Sequence, residues 1–176
     1  MKRKVTNAIF SKGEVFAQDD VARDLLNTSC FGSKETKGTV KFSLVECLYL
    51  VSQERMIVVD GRKKELSYSD LLTKFSKKDK NISIRSVVFA SLRERGYVVK
   101  TALKFGGDFR VYPRGKKPGD AHAPWVVVCV KEDTNLDWKD FSGKNRVAHS
   151  TRKKLLMAVV DDENDVTYFE CGWIKP

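Results

Sequence analysis

Six consecutive apolar residues, Trp125-Val126-Val127-Val128-Cys129-Val130, lie between Pro124 and Lys131. A β-branched run of that length predicts a strand buried on both faces, which has to be covered from both sides. Leu155 to Val160 is a second run of six residues. Both fall far short of the ~20 apolar residues that cross a bilayer, so no membrane association is expected. A chain of 176 residues, 41% of them apolar, has the material for one or two domains with packed cores.

Charge narrows the partners without placing them. Lys and Arg number 33 against 23 Asp and Glu, a net +10 at pH 7, which suits a polyanion. The excess is spread over both halves, so it locates no site. Cys30, Cys47, Cys129 and Cys171 are scattered without a C-x-x-C pair, and they read as buried free thiols rather than a metal site or disulfide framework. The basic start Met1-Lys2-Arg3-Lys4-Val5 is followed by no signal-type apolar segment, and a cytoplasmic address is expected.

Along the chain, residues 1–80 predict a small mixed domain. Val5 to Phe10 and Glu14 to Phe16 read as strands around the turn Lys12-Gly13. Ser43 with Glu46, and Ser67 with Asp70, have capping-box spacing before apolar helices, and Met56 to Val59 reads as a strand between them. The polar stretch Lys77 to Asn81 is the expected linker. In residues 81–176, Val87, Val88, Leu92 and Gly96 predict a helix; Tyr97 to Leu103 and Phe109 to Tyr112 predict strands joined by Gly106-Gly107-Asp108. Pro113 to Asp120, with two prolines and two glycines, is expected to be irregular. A helix from Thr134 to about Arg152, opened by Thr134 and Asp137, precedes a last hairpin of Leu155 to Val160 and Val166 to Ile174.

Chemistry has few places to reside. His122 and His149 are the only histidines. His149 lies in a predicted helix and reads as a packed or capping residue. His122 follows the basic glycine- and proline-rich loop and precedes the buried strand, where a loop can carry a proton donor on a rigid scaffold. Tyr112 ends the strand before that loop, and Lys153 opens the strand after the last helix; taken singly, each is unremarkable. The sequence contains no phosphate-binding glycine loop, zinc-protease or nucleophile-elbow pattern. Asp108 and Glu132 keep a Mg²⁺-dependent DNA nuclease open.

Several segments then converge on one family. Tyr97-Val98-Val99-Lys100-Thr101, Gly107-Asp108-Phe109-Arg110-Val111-Tyr112, His122, and Arg146-Val147-Ala148-His149-Ser150-Thr151-Arg152-Lys153-Lys154-Leu155-Leu156 closely resemble the archaeal tRNA-intron (tRNA-splicing) endonucleases. Ser43 to Leu50 resembles that family's N-terminal helix. Tyr112 stands ten residues before His122, and His122 31 before Lys153, which fits the family's triad spacing.

The resemblance implies an α+β chain: a small mixed N-terminal domain, and a C-terminal α/β nuclease domain with a central mixed sheet flanked by helices. It implies cleavage of precursor tRNA at bulge-helix-bulge junctions, leaving a 2′,3′-cyclic phosphate and a 5′-hydroxyl, with no metal or other cofactor. Tyr112 would be general base on the ribose 2′-OH, His122 general acid for the leaving oxygen, and Lys153 the cation for the phosphorane. Arg146 matches an arginine that stacks on a bulged base; Tyr168, then Trp173, are the candidate partners in that sandwich. Arg114, Lys116, Lys117 and Lys154 are candidate phosphate contacts. Asp161, Asp162, Glu163 and Asp165 match an acidic loop that docks into a neighbouring subunit, with Asn164 able to take φ > 0 at the turn. A homotetramer is expected first, a heterotetramer with a related structural subunit second. A non-catalytic RNA-binding subunit remains the competing reading from a different class.

Overall fold

The computed structural model describes residues 4–102 and 105–174 and divides into two compact units, Met1–Ser86 and Val87–Pro176. Both mix helices with a five-stranded sheet, so the chain is α+β.

In the first unit, β1 (Thr6–Ser11) and β2 (Glu14–Ala17) form a hairpin. Lys12 and Gly13 turn it with φ 51° and 80°, the left-handed pair that matches strand twist. With β3 (Ser33–Lys34), β4 (Val40–Phe42) and β5 (Met56–Val59), the sheet order is β3-β4-β2-β1-β5, and β1 runs parallel to β5. Helix α1 (Asp20–Ser29), capped by Asp19, was not expected from the sequence, nor were β3 and β4. Helices α2 (Leu44–Ser52) and α3 (Tyr68–Ser76) both open on complete capping boxes, Ser43 with Glu46 and Ser67 with Asp70. Glu46 is only 4% exposed. Its carboxylate accepts from the Ser43 N–H, the Ser43 hydroxyl and the Gly32 N–H, so its lone pairs are used. At Gly32 φ is 74°, and a Cβ would stand 2.6 Å from Val40 Cγ1, so glycine is required on both counts.

Helix α4 (Ile82–Glu94) begins in the first unit and continues into the second. It starts earlier than the apolar spacing from Val87 suggests and is followed by Gly96 at φ 86°. The second sheet has the order β10-β9-β8-β7-β6, built from β6 (Val98–Thr101), β7 (Phe109–Tyr112), β8 (Trp125–Lys131), β9 (Lys154–Val160) and β10 (Val166–Cys171). The strand expected from Tyr97 to Leu103 is shorter, Val98–Thr101, and its expected end Leu103 lies outside the described residues. Strand β8 is central, antiparallel to β7 and parallel to β9. Gly107 admits no side chain, because a Cβ there would lie 2.4 Å from Val126 Cγ1.

Helix α5 (Trp138–Ser150) is shorter than expected. Its N-cap is Asp137, whose carboxylate accepts from the Lys139 N–H, while the Thr134 N–H is spent in a turn on Lys131 O. Ala148 and Phe141 of α5 pack on Val128, Val130, Leu155, Met157 and Cys171. On the other face, Phe89 of α4 meets Phe109 with ring centroids 5.8 Å apart. The central strand therefore receives the two-sided cover that its composition demands. All four cysteines are free; Cys30 and Cys47 are buried, but Cys129 and Cys171 are only partly so. Burial pushes the Cys47 thiol up to about 12, which leaves it unreactive.

Candidate active site

Strand alternation decides which side chains can meet. Arg110 and Tyr112 are two apart on β7 and share a face. Arg110 pairs with Val126, and Val126 with Leu155, so this is the face that α5 covers. Lys153, two before Leu155, enters from the same side. A cavity of about 390 Å³ opens there, lined by Tyr112, His122 and Lys153 together with Phe105, Arg110 and Asp120.

Each of the three side chains is set by a different device. Tyr112 is held in the sheet opposite Val98 and is 4% exposed. His122 is exposed, but Ala123 beside it is 3% exposed and anchors the end of the loop, where Pro118 bridges Ala121. Lys153 is placed by the end of α5. Arg152 takes the left-handed conformation at φ 56°; its N–H donates to His149 O at 2.9 Å, and the Lys153 N–H donates to Ala148 O at 2.8 Å. This stops the helix and aims the chain into β9. The next N–H, of Lys154, donates to Pro124 O at 2.8 Å, tying the segment after His122 to the one that carries Lys153. The Lys153 ammonium lies 5.2 Å from the centre of the Phe105 ring and donates to Thr151 O at 3.3 Å.

The other candidates fall in several places. Tyr168 pairs with Ala158, which puts it on the α4 face, away from Tyr112. Its hydroxyl donates to Ser91 Oγ at 3.0 Å, Arg95 stacks on its ring at 5.4 Å, and burial raises the proton affinity of its phenol. It lines a second cavity of about 290 Å³ with Arg95, Tyr97, Arg114, Trp125 and Glu170. Arg114 stacks on Tyr97 at 5.2 Å. Lys154 is ion-paired with Glu170 on this same face, and that bond, then one from the Trp125 indole N–H, holds the Glu170 carboxyl below its ordinary range. Lys116 and Lys117 are exposed in the loop after β7. Arg146 is exposed on α5, and one turn on, His149 meets the edge of Trp173 with centroids 4.2 Å apart. His149 is thus exposed against an aromatic ring rather than packed in the core.

At the β9–β10 turn, Asp161 accepts the N–H groups of Glu163 and Asp165, and Asn164 has φ 66°. Asp162 pairs with Lys131 at 3.0 Å. The carboxylates of Asp161, Glu163 and Asp165 lie within 4.8 Å of one another. Asp108 and Glu132 are occupied otherwise: Asp108 accepts the Cys129 N–H at 2.8 Å, and Glu132 the Asp162 N–H. Arg110 was not singled out in the sequence, although its period-two spacing from Tyr112 places it beside the triad.

Comparison with known proteins agrees with this layout. Residues 82–168 match the tRNA intron endonuclease catalytic C-terminal domain, and residues 6–72 the tRNA intron endonuclease N-terminal domain. The tRNA-splicing endonuclease of Thermococcus onnurineus is 40% identical over 158 residues, 90% of this chain and 90% of that protein. The enzyme of that name from Pyrococcus abyssi is 37% identical over 175 residues, 98% and 99% of the two chains. That from Nanoarchaeum equitans is 39% identical over 152 residues, 83% and 97%. With both domains matched in order and relatives similar along nearly their whole length, the chain belongs to the tRNA intron endonuclease family.

Proposed function

We propose that this endoribonuclease cleaves precursor tRNA at the bulge-helix-bulge junctions of introns by metal-independent transphosphorylation. The observation that carries the reading is the convergence of Tyr112, His122 and Lys153, from a strand, a loop and a helix end, on one cavity. Tyr112 takes the proton from the ribose 2′-OH as that oxygen attacks phosphorus. His122 gives a proton to the 5′-oxygen as its bond to phosphorus breaks. Lys153 faces the negative charge that builds on the phosphorane. The products are a 2′,3′-cyclic phosphate and a 5′-hydroxyl, with protons balanced between base and acid. Because the nucleophile is the 2′-OH, deoxyribose at the cut position gives no product.

Arg146 and Trp173 form the better-placed base sandwich, since Trp173 packs against the α5 face that Arg146 shares with His149. Tyr168 is engaged on the opposite face of the sheet. The carboxylates of Asp161, Glu163 and Asp165 make the β9–β10 turn a compact negative knob suited to a basic cleft on another copy, in a homotetramer that spaces two sites for two bulges. A mass measurement of the purified chain at four times the monomer supports this; an inert monomer that gains activity with a related subunit replaces it by a heterotetramer.

The test of the reaction is incubation of the purified chain with a minimal bulge-helix-bulge RNA in excess EDTA, with analysis of product ends. Cyclic phosphate and 5′-hydroxyl termini are expected. Cleavage lost in EDTA and restored at the chemical step by Mg²⁺ overturns the mechanism.

A further inference from the structure

Arg110 lines the triad cavity, and no ion pair among the described residues explains it. Its guanidinium lies 5.9 Å from the centre of the Tyr112 ring. Its Nε is buried and has no hydrogen-bond partner among the described residues, where Arg110 also makes no ion pair. Arg85, whose Nε is likewise buried, is neutralised by Asp79. The strand positions on either side of Arg110 supply no acceptor side chain: Val126 is opposite on β8 and Lys100 directly opposite on β6. Among the described residues, the one acidic side chain lining the cavity, Asp120, is exposed in the loop. An Nε–H taken out of water without an acceptor is costly, and an orphaned donor of that kind calls for an explanation, a catalytic role among them.

We propose that Arg110 is a further catalytic residue of this site, its guanidinium holding a non-bridging oxygen of the phosphodiester that enters the cavity. The planar fork of donors suits a phosphate, and a fixed cation in a partly buried site stabilises developing charge without reorganising. Lys153 and Arg110 then flank the reacting phosphate as two cations beside one phenol and one imidazole. The inference rests on the cleavage reaction proposed above, and wild-type protein run in parallel separates the two: an inert wild type sinks the reaction, whereas an active wild type with an unaffected variant sinks only the role of Arg110.

The experiment is single-turnover cleavage of a minimal bulge-helix-bulge RNA at saturating protein by wild type, Arg110→Met and Arg110→Lys, with melting temperatures. Each protein is also given substrate carrying one phosphorothioate diastereomer or the other at the scissile position. Arg110→Met is expected to slow cleavage on the order of 10²-fold, with no fall in melting temperature, because the substitution breaks no hydrogen bond or ion pair among the described residues and removes a buried donor that has no acceptor. Arg110→Lys is expected to lie between. The stereospecific sulfur effect of wild type should shrink in both variants, which a merely structural role for Arg110 does not produce. Cleavage within threefold of wild type, or a slowed variant that keeps the full sulfur effect, overturns the proposal. Should Arg110→Met fail to fold, the same two outcomes are read on Arg110→Lys.

Discussion

On the α4 face of the second sheet, Tyr168 donates to Ser91, the Trp125 indole donates to Glu170, Lys154 pairs with Glu170, and Arg95 and Arg114 stack on tyrosine rings. On the α5 face, Lys153 and Arg110 also sit near rings, those of Phe105 and Tyr112, but His122 is exposed, and among the described residues the Lys153 ammonium bonds only a backbone carbonyl and Arg110 Nε bonds nothing. The two cavities use the same vocabulary of tyrosines and cations. One has spent its hydrogen bonds and ion pairs on itself, and the other has kept more of them. A cavity whose polar groups already satisfy one another gains little from a ligand, whereas one with unspent donors is completed by a charged ligand.

The largest effect that tests this contrast is on the α5 face. Replacing His122 by alanine is expected to slow cleavage on the order of 10²–10⁴-fold, the usual worth of a positioned proton donor, while RNA binding and melting temperature stay near those of wild type because the imidazole is exposed. Near-normal cutting by that variant breaks the contrast. On the α4 face the expectation is reversed. Ser91→Ala leaves the half-buried Tyr168 hydroxyl without its acceptor and should cost about 1 kcal/mol in denaturant unfolding, with the cleavage rate at saturating RNA unchanged. A rate that falls with no loss of stability would move chemistry to the wrong face. The smallest effect concerns acid. Because Lys154 and Trp125 hold the Glu170 carboxyl low, its contribution to stability is fully present above the unfolded carboxylate value of about 4 and disappears as pH falls through the lower folded value. Melting curves taken downward from neutral pH should lose slightly less in Glu170→Gln than in wild type through that window; an identical acid slope removes Glu170 from the account.

Local signals in the sequence were reliable where one residue does one job. Ser43 with Glu46 and Ser67 with Asp70 place two helices because a capping box is complete within four residues. Lys12-Gly13 places a hairpin for the same reason. Helix α1 was within reach of the sequence, since Val21, Ala22, Leu25 and Leu26 recur on one helical face just after the cap Asp19. The start of α5 was expected at Thr134 with Asp137 completing the box, whereas the helix opens on Asp137 itself as the cap. The triad was legible through resemblance, since Tyr112, His122 and Lys153 are bland one by one. The face of Tyr168 was not legible, because it follows from the register between β9 and β10, which the five-residue turn sets and no single residue announces. Arg110 was within reach by parity with Tyr112, but its lack of a counter-ion among the described residues shows only when the strands on either side of it are in place.

The helix end that positions Lys153 also decides how much of its charge a substrate meets. A carboxylate neighbour would cancel most of the field before RNA arrived. The neighbour here is the Thr151 carbonyl at the last turn of α5, a terminus worth about half an elementary charge. The side chain is thereby steered without being neutralised, and among the described residues an incoming phosphate has no acid to displace.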